Sequence, residues 1–237
     1  RVLREGAMVA EEGKYLKKIK KCDISSVKGS VIVKDFSKEK FKMNLKSNKV
    51  NVIKILPGGV VTAKDTAEIE LDANGEFVRN PEVDLVKVAV VERHQGTGNV
   101  ACGFLKGYGI KEGAVALSVA HDSHNIIVVG VNDEEMEFAV NSLIEQEGGI
   151  VLVKEGKVIE SMPMPIAGLM SDQSGEWVDQ KLTDIHEKAY EELGICGDVE
   201  PVMTLCFMSL AVIPEIKLTD MGLFDVTTFS FIPVEVE

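Results

Sequence analysis

The chain has 237 residues, 45% of them apolar and 27% charged, a composition typical of a globular protein and not of a disordered one. This length is enough for one large domain or two small ones with a buried core. The net charge of −12 argues against a nucleic-acid surface, which needs clustered lysine and arginine. No apolar run reaches the roughly 20 residues that span a bilayer, so we expect neither nucleic acid nor membrane as a partner.

The start of the chain, RVLREGAMVAEEGKYL, lacks an initiator methionine and the apolar segment of a secretory signal peptide. It opens in the middle of a pattern, so we expect a fragment of a longer polypeptide or a processed chain. The cysteines are scattered and form no CxxC pair, which indicates free cytoplasmic thiols and not disulfides or a zinc site. They are Cys22, Cys102, Cys196 and Cys206.

Residues 1–47 differ from the rest of the chain. They are rich in lysine, only weakly periodic, and contain short β-like runs, as at the end of a module. From Lys49 the alternation sharpens and predicts a strand that stops at the turn Pro57-Gly58-Gly59. Further strands are predicted at residues 60–63 and 67–71, and Asn74-Gly75 predicts a tight hairpin.

The middle of the chain predicts buried strands separated by polar loops. Residues 83–91 are apolar on both faces near their end, as in a central strand. A glycine-bearing loop follows, and residues 100–108 predict a short helix. Residues 113–119 and 126–129 predict two more buried strands.

Two amphipathic helices are predicted after this region. Asn132, followed by three acidic residues, predicts the first helix, which ends at Gly148-Gly149. A hairpin around Glu155-Gly156 comes next, and a second helix ends at Gly194. Strands interleaved with helices predict an α/β or α+β fold, with a mixed sheet and helices on one face. The apolar residues 201–216 predict a buried segment, and the final residues alternate like a strand.

The loop SVAHDSHN carries two of the four histidines, His121 and His124, between two buried strands. Asp122 beside a histidine can fix its tautomer and raise its basicity. Ligands often bind at strand ends in α/β sheets, so a binding role is one hypothesis. The alternative is that Asp122, Ser123 and Asn125 satisfy backbone groups of the loop while the histidines pack or face solvent.

A second polar loop, ERHQGTGN at residues 92–99, follows the predicted central strand and contains His94 and Gln95. Glycines let backbone N–H groups approach an anion or a ring, although a plain connecting loop is equally compatible. If the neighbouring strands pair in parallel, His94 and His121 point into one cleft. A zinc site within this chain is not favoured, because the sequence has neither HxH nor HExxH. Asp220 reads as a turn residue and His186 as a surface histidine.

These strings resemble a known family. The segment VVERHQGTGNVACGFLKGYGIKEGAVALSVAHDSHNIIVVGVNDEEM, residues 90–136, resembles the carboxy-terminal region of bacterial and archaeal adenine deaminases. So does MTLCFMSLAVIPEIKLTDMGLFDV, residues 203–226, and the likeness runs in order from Lys49 to about Val234. Residues 1–47 resemble the tail of the small β-domain that flanks the catalytic barrel in that family. Residues 48–237 would then be its carboxy-terminal domain.

The resemblance implies a metal-dependent amidohydrolase that converts adenine to hypoxanthine and ammonia. In that family a (β/α)₈ barrel holds manganese or iron, and a metal-bound hydroxide attacks the ring carbon that bears the amino group. The barrel is not in these 237 residues. We therefore expect a barrel of the same or a partner chain to hold the metal. In this chain alone we expect no metal, no catalytic residue and no deaminase activity, and we expect a cytoplasmic homo-oligomer.

The resemblance also suggests a task for the two polar loops, which would line the mouth of the barrel, cover adenine and exclude water. A neutral imidazole can donate to a ring nitrogen while Asp122 holds its other nitrogen. The residues expected to contact substrate are His121, Asp122, Ser123, His124, Asn125, His94 and Gln95. Two alternatives stay open: a structural or oligomerisation domain with an interface at residues 203–212, and an independent domain that binds adenine by itself.

Overall fold

The computed structural model describes residues 1–18, 20–58 and 60–236, and it contains sixteen strands and three α-helices. The strands in chain order are β1 (Val2–Arg4), β2 (Ala7–Glu11), β3 (Lys14–Tyr15), β4 (Lys49–Ile55), β5 (Thr62–Glu68), β6 (Glu70–Leu71), β7 (Phe77–Val78), β8 (Leu85–Val91), β9 (Val100–Lys106), β10 (Ala114–Leu117), β11 (Ile126–Gly130), β12 (Gly149–Lys154), β13 (Lys157–Pro163), β14 (Ile216–Thr219), β15 (Gly222–Asp225) and β16 (Ser230–Phe231). The helices are α1 (Asp133–Glu145), α2 (Gly175–Glu191) and α3 (Pro201–Cys206).

Eight strands form the central sheet, in the order β13-β12-β10-β11-β8-β9-β4-β5. Six of the neighbouring pairs are antiparallel, and β4 pairs with β9 in parallel. The sheet is therefore mixed, and the predicted α+β class is confirmed. Residues 233–236 return to β4: Val50 bridges Glu235, and the Asn51 amide donates to the Val234 carbonyl at 2.7 Å.

Both faces of the central sheet are covered. Successive side chains of a strand point to opposite faces, so Val88 and Val90 enter one apolar cluster while Ala89 and Val91 enter another. Helices α2 and α3 pack on the first face and α1 on the second. The prediction of helices on one face was wrong, because the central strands are apolar on both sides and each side needs a cover.

Local signals set both long helices where the sequence predicted them. The Asn132 side chain caps α1 by accepting the amide of Glu135 at 2.8 Å, and the apolar stripe of α1 is buried. Ser174 caps α2 in the same way through the amide of Trp177. The hairpins predicted at Asn74-Gly75 and Glu155-Gly156 are confirmed as β6–β7 and β12–β13.

The short helix predicted at residues 100–108 is instead strand β9. Its seven residues pair antiparallel with β8, and its other side pairs with β4. Hydrogen bonding to two neighbouring strands outweighs the helix-like spacing of the apolar residues. The small sheet β14-β15-β16 packs on β9 through Leu218, which would be in ordinary van der Waals contact, at 3.5 Å, with a Cβ at Gly103.

The amino-terminal strands β1, β2 and β3 form a separate sheet, as expected of a β-rich tail, and none of their residues is buried. The segment that follows behaves differently. Phe41 is fully buried in the cluster with α1, and Phe36 packs beside it. The domain boundary between residues 47 and 48 stays a prediction.

Two further properties bear on the class of protein. The four cysteines are free thiols, as predicted. Within residues 1–18, 20–58 and 60–236, no helix is both long enough and apolar enough to cross a bilayer.

Lys217 on β14 is fully buried, and its Nζ donates to the Val60 carbonyl at 2.9 Å. Burial lowers the pKa of Lys217 to about 8, from an ordinary value of 10.5. Between these two values the unfolded chain binds more protons than the folded chain. This group's contribution to the free energy of unfolding therefore rises as the pH increases from about 8 to 10.5.

We expect Lys217→Met to raise the free energy of unfolding at pH 7, since a thioether has no charge to desolvate. This gain should shrink by roughly 3 kcal/mol between pH 7 and pH 11, because a pKa unit corresponds to about 1.4 kcal/mol. Urea denaturation of both proteins at the two pH values measures it, and other titrating groups cancel in the difference. An effect of Lys217→Met that is the same at both pH values would contradict the assignment.

Candidate functional site

The two polar loops lie together at one edge of the central sheet. Strand β8 ends at Val91, which pairs with Ile126 at the start of β11. The loops of residues 92–99 and 118–125 therefore leave the sheet at the same end of these two strands. His94 Nε2 lies 2.8 Å from the Ser123 carbonyl oxygen. The two loops thus meet, although the condition of parallel pairing is not fulfilled: β8 and β11 pair antiparallel, which places the end of one strand beside the start of the other. That His94 and His121 point into one cleft stays a prediction.

Glu92 holds the first loop in shape. Its buried carboxylate accepts the backbone amides of His94 (2.5 Å), Gln95 (2.8 Å) and Thr97 (2.9 Å), and the Thr97 hydroxyl as well. Burial alone would raise the pKa of Glu92, but these amide bonds outweigh it and the pKa is lowered. The ionised Glu92 carboxylate thus holds the loop backbone in place, and His94 and Gln95 are exposed to solvent.

His121 lies half-buried between two rings. Its ring plane is 17° from that of His124 at a centroid distance of 6.2 Å, and Phe207 meets it edge-on at 5.4 Å. The exposed Asp122 places Oδ1 3.3 Å from His121 Nδ1. This is the histidine–aspartate pair that the sequence suggested. A proton held on Nδ1 leaves Nε2 as an acceptor for a ligand.

His124 has a positive φ of 55°, and its amide donates to the Ala120 carbonyl at 2.6 Å. Burial lowers the pKa of His124, and the positive charge of Arg93 lowers it further. His124 is therefore neutral at neutral pH. A neutral imidazole offers one donor and one acceptor, which suits a nitrogen heterocycle.

Arg93 is a central residue of this edge that the sequence analysis missed. Its side chain is 1% exposed, and Nε donates to the His124 carbonyl at 2.5 Å. Nη2 donates to the carbonyls of Ala167 (3.2 Å) and Ser118 (3.5 Å). Burial lowers the pKa of Arg93. The guanidinium joins three separate segments of chain, and nothing in the local sequence distinguishes it from a solvated arginine.

Asn125 and Asp220 complete the support of the loops. The buried Asn125 accepts the Arg93 amide at 3.3 Å through Oδ1, and its Nδ2 donates to Asp220 Oδ1 at 3.2 Å. Asp220 precedes Met221 in the turn between β14 and β15, as predicted. The turn also contacts the site, which local sequence did not indicate. Both polar atoms of the Asn125 amide are thus engaged within the fold.

These residues do not fit a manganese or iron site. In the part of the chain that the structure describes, no three His, Cys, Asp or Glu side chains converge to hold a metal ion. Catalytic zinc and non-haem iron sites are typically built on three protein ligands. His186, the fourth histidine, lies on α2 outside both loops, half-buried and 2.5 Å from Glu200.

The chemistry that this edge can perform is recognition. His94, Gln95, Asp122 and Ser123 are exposed, and His121 and His124 are half-buried beside them. The imidazoles and their neighbours offer hydrogen-bond donors, acceptors and ring faces to a flat polar molecule.

Comparison with known proteins agrees with the resemblance seen in the sequence. The sequence profile described as "Adenine deaminase C-terminal domain" matches residues 59–230. A protein of Desulfotalea psychrophila called adenine deaminase 2 is 66% identical over 231 residues, which are 98% of this chain and 40% of that protein. The adenine deaminase of Ligilactobacillus salivarius is 46% identical over 232 residues, again 98% of this chain and 40% of that protein.

The relatives are much longer than the matched region. The adenine deaminase of Halalkalibacterium halodurans is 43% identical over 238 residues, which are 99% of this chain and 40% of that protein. The chain thus spans about 40% of the length of the curated relatives that it matches.

Proposed function

The chain belongs to the adenine deaminase C-terminal domain family, and on this premise we propose that it is the carboxy-terminal part of an enzyme that hydrolyses adenine to hypoxanthine and ammonia. The support is the profile match over residues 59–230 and a relative of 66% identity that is called adenine deaminase 2. The proposal concerns the parent enzyme; we expect the isolated chain to be inactive.

Our proposal divides the work between two parts of the parent enzyme. Manganese or iron is held by a barrel outside these 237 residues, in the same or a partner chain. The misfit of the described residues to a metal site supports this division. The present chain supplies the edge of loops 92–99 and 118–125, which covers bound adenine and excludes water from it.

The imidazoles are the groups that would read adenine. Asp122 holds Nδ1 of His121, so that His121 Nε2 faces a ring N–H, and neutral His124 offers both a donor and an acceptor. His94, Gln95 and Ser123 form the exposed rim, and Asn125 supports it from below. The observation that carries the proposal is the 2.8 Å contact between His94 and Ser123, which brings both loops to one edge.

His121→Ala and His124→Ala in the intact parent enzyme test this assignment. Each variant should lower kcat/KM for adenine about ten- to a hundredfold, because one or two hydrogen bonds of roughly 1–1.5 kcal/mol are lost. The measurement is ammonia release from adenine. His186→Ala is the matched control, since this half-buried histidine lies outside both loops, and it should leave kcat/KM unchanged.

Two results would contradict the proposal. Unaltered kcat and KM in both loop variants would show that the loops do not contribute to substrate recognition. Ammonia release by the isolated, metal-loaded chain would contradict the placement of the metal in another part of the enzyme.

An oligomerisation domain is the second candidate. Met203 and Val212, in the segment predicted as an interface, are 54% and 69% exposed. This role predicts a homo-oligomer in analytical ultracentrifugation that Met203→Ser dissociates.

A domain that binds adenine independently would instead show heat of binding in calorimetry with the chain alone.

A further inference from the structure

Three large apolar side chains form an exposed ridge on the small sheet: Met221, Phe229 and Phe231, here called the apolar ridge. Met221 and Phe229 are each 72% exposed and Phe231 is 51% exposed. Single exposed apolar residues are ordinary, but three on one small sheet are typical of a contact surface. All three lie on β14, β15, β16 or their turns, within eleven residues of chain.

The apolar ridge has a fixed shape. Phe224 of β15 is buried, and it meets Phe229 and Phe231 edge-on at centroid distances of 5.2 Å each. Phe231 also packs over Gly222, where a Cβ would be in ordinary van der Waals contact with the ring at 3.7 Å. The aromatic rings are therefore held in place before any partner arrives, which reduces the entropy lost on binding.

The apolar ridge continues directly from the candidate site. Asp220, the residue before Met221, accepts the hydrogen bond from Asn125 Nδ2 at 3.2 Å. Asn125 is itself the last residue of the histidine loop. Met221 of the ridge is therefore one residue away from a direct partner of the histidine loop.

We infer that the apolar ridge is the surface that contacts the remaining part of the parent polypeptide, and this inference rests on the proposed function. The relatives are about two and a half times as long as the matched region, since the chain covers 40% of them. The part that would hold adenine must approach the histidine loops. Contact with the ridge would fix the distance between that part and His121.

A second copy of this chain is a weaker occupant. Each copy has a net charge of −12, and two such bodies repel each other at low ionic strength.

Peroxide oxidation of Met221, followed by mass spectrometry, tests the inference. In the 237-residue chain Met221 should oxidise rapidly, because a methionine thioether reacts according to its exposure. In the intact parent polypeptide we expect oxidation to be about ten times slower, since the covered sulfur is not reached. Equal rates in the two proteins would overturn the inference.

Substitutions locate the contact. Phe229→Ser with Phe231→Ser in the intact polypeptide should restore rapid oxidation of Met221. Phe138→Ser is the matched control, because Phe138 is 37% exposed on α1, on the opposite face of the central sheet, and it should keep Met221 protected. Protection that survives the double substitution would overturn the role of the ridge.

Two further readouts separate the occupants and the proposals. Slow oxidation in the isolated chain that depends on protein concentration would identify a second copy as the occupant and overturn the inference. Because the readout needs no adenine, protected Met221 without deaminase activity keeps the inference and rejects the proposed function. Deaminase activity with rapidly oxidised Met221 keeps the proposed function and rejects the inference.

Discussion

Gly149→Ala is expected to lower the free energy of unfolding by at least about 4 kcal/mol, among the largest effects of a single substitution. Gly149 has a φ of +111°, and a Cβ there would lie 2.0 Å from the Met162 carbonyl oxygen. The backbone cannot move away, because the Gly149 amide bonds to Ser118 Oγ at 2.7 Å and the residue pairs with Pro163. The clash thus adds to the backbone strain.

Gly156→Ala separates the clash from the strain. Gly156 also has a positive φ, of 66°, but a Cβ there has no neighbour within 4 Å. This control should cost only about 1 kcal/mol, the penalty of a left-handed alanine. Urea denaturation of both variants measures the difference. If both substitutions lower the free energy of unfolding by the same amount, the predicted clash between a Cβ at residue 149 and β13 does not occur.

The second large effect is expected from Arg93→Met, at about 3 kcal/mol of lost stability. The substitution leaves the carbonyls of His124, Ala167 and Ser118 without their donor, and each buried unsatisfied group costs roughly 1–3 kcal/mol. Relief from burying the guanidinium charge offsets part of this cost. Arg79→Met is the control, because the half-buried Arg79 donates to one carbonyl, that of Ile110, and should cost about 1 kcal/mol.

The same variant has a signature that lost packing alone would not give. The positive charge of Arg93 contributes to the lowered pKa of His124, so Arg93→Met should raise that pKa. Proton NMR of the histidine resonances across pH 4 to 8, together with urea denaturation, measures both effects. An Arg93→Met protein as stable as the native one, with an unshifted His124, would remove Arg93 from the site.

Local sequence signals predicted the helices and tight hairpins well. The cap at Asn132 and the apolar stripe of α1 act within a few residues, and so does the turn at Asn74-Gly75. These elements need no knowledge of distant chain segments. The same is true of β8, whose two apolar faces already indicated a central strand.

Strand β9 could not be predicted in this way. The apolar residues of 100–106 fit a helix as well as a strand, and the choice is made by β8 and β4 on its two sides. β4 lies about fifty residues earlier in the chain. The prediction that helices cover one face of the sheet failed for a related reason. The faces that are covered depend on where α1 and α2 pack, and local sequence does not determine this.

The candidate site was predicted in part. Its two loops were identified from their polarity beside buried strands, and the structure places them together. Arg93, Phe207 and Asp220 were missed, because each joins the site through a partner at least twenty residues away. The contact of each loop residue with adenine stays a prediction.

The return of residues 233–236 to β4 has a consequence for synthesis on the ribosome. Val50 and its bridge partner Glu235 are 185 residues apart, and translation at about 5–20 residues per second needs roughly 10–40 seconds to make that interval. Until then, the backbone groups of Asn51 that receive Val234 stay open to a wrong partner. This part of β4 therefore stays without its native partner until residues 233–236 have been translated.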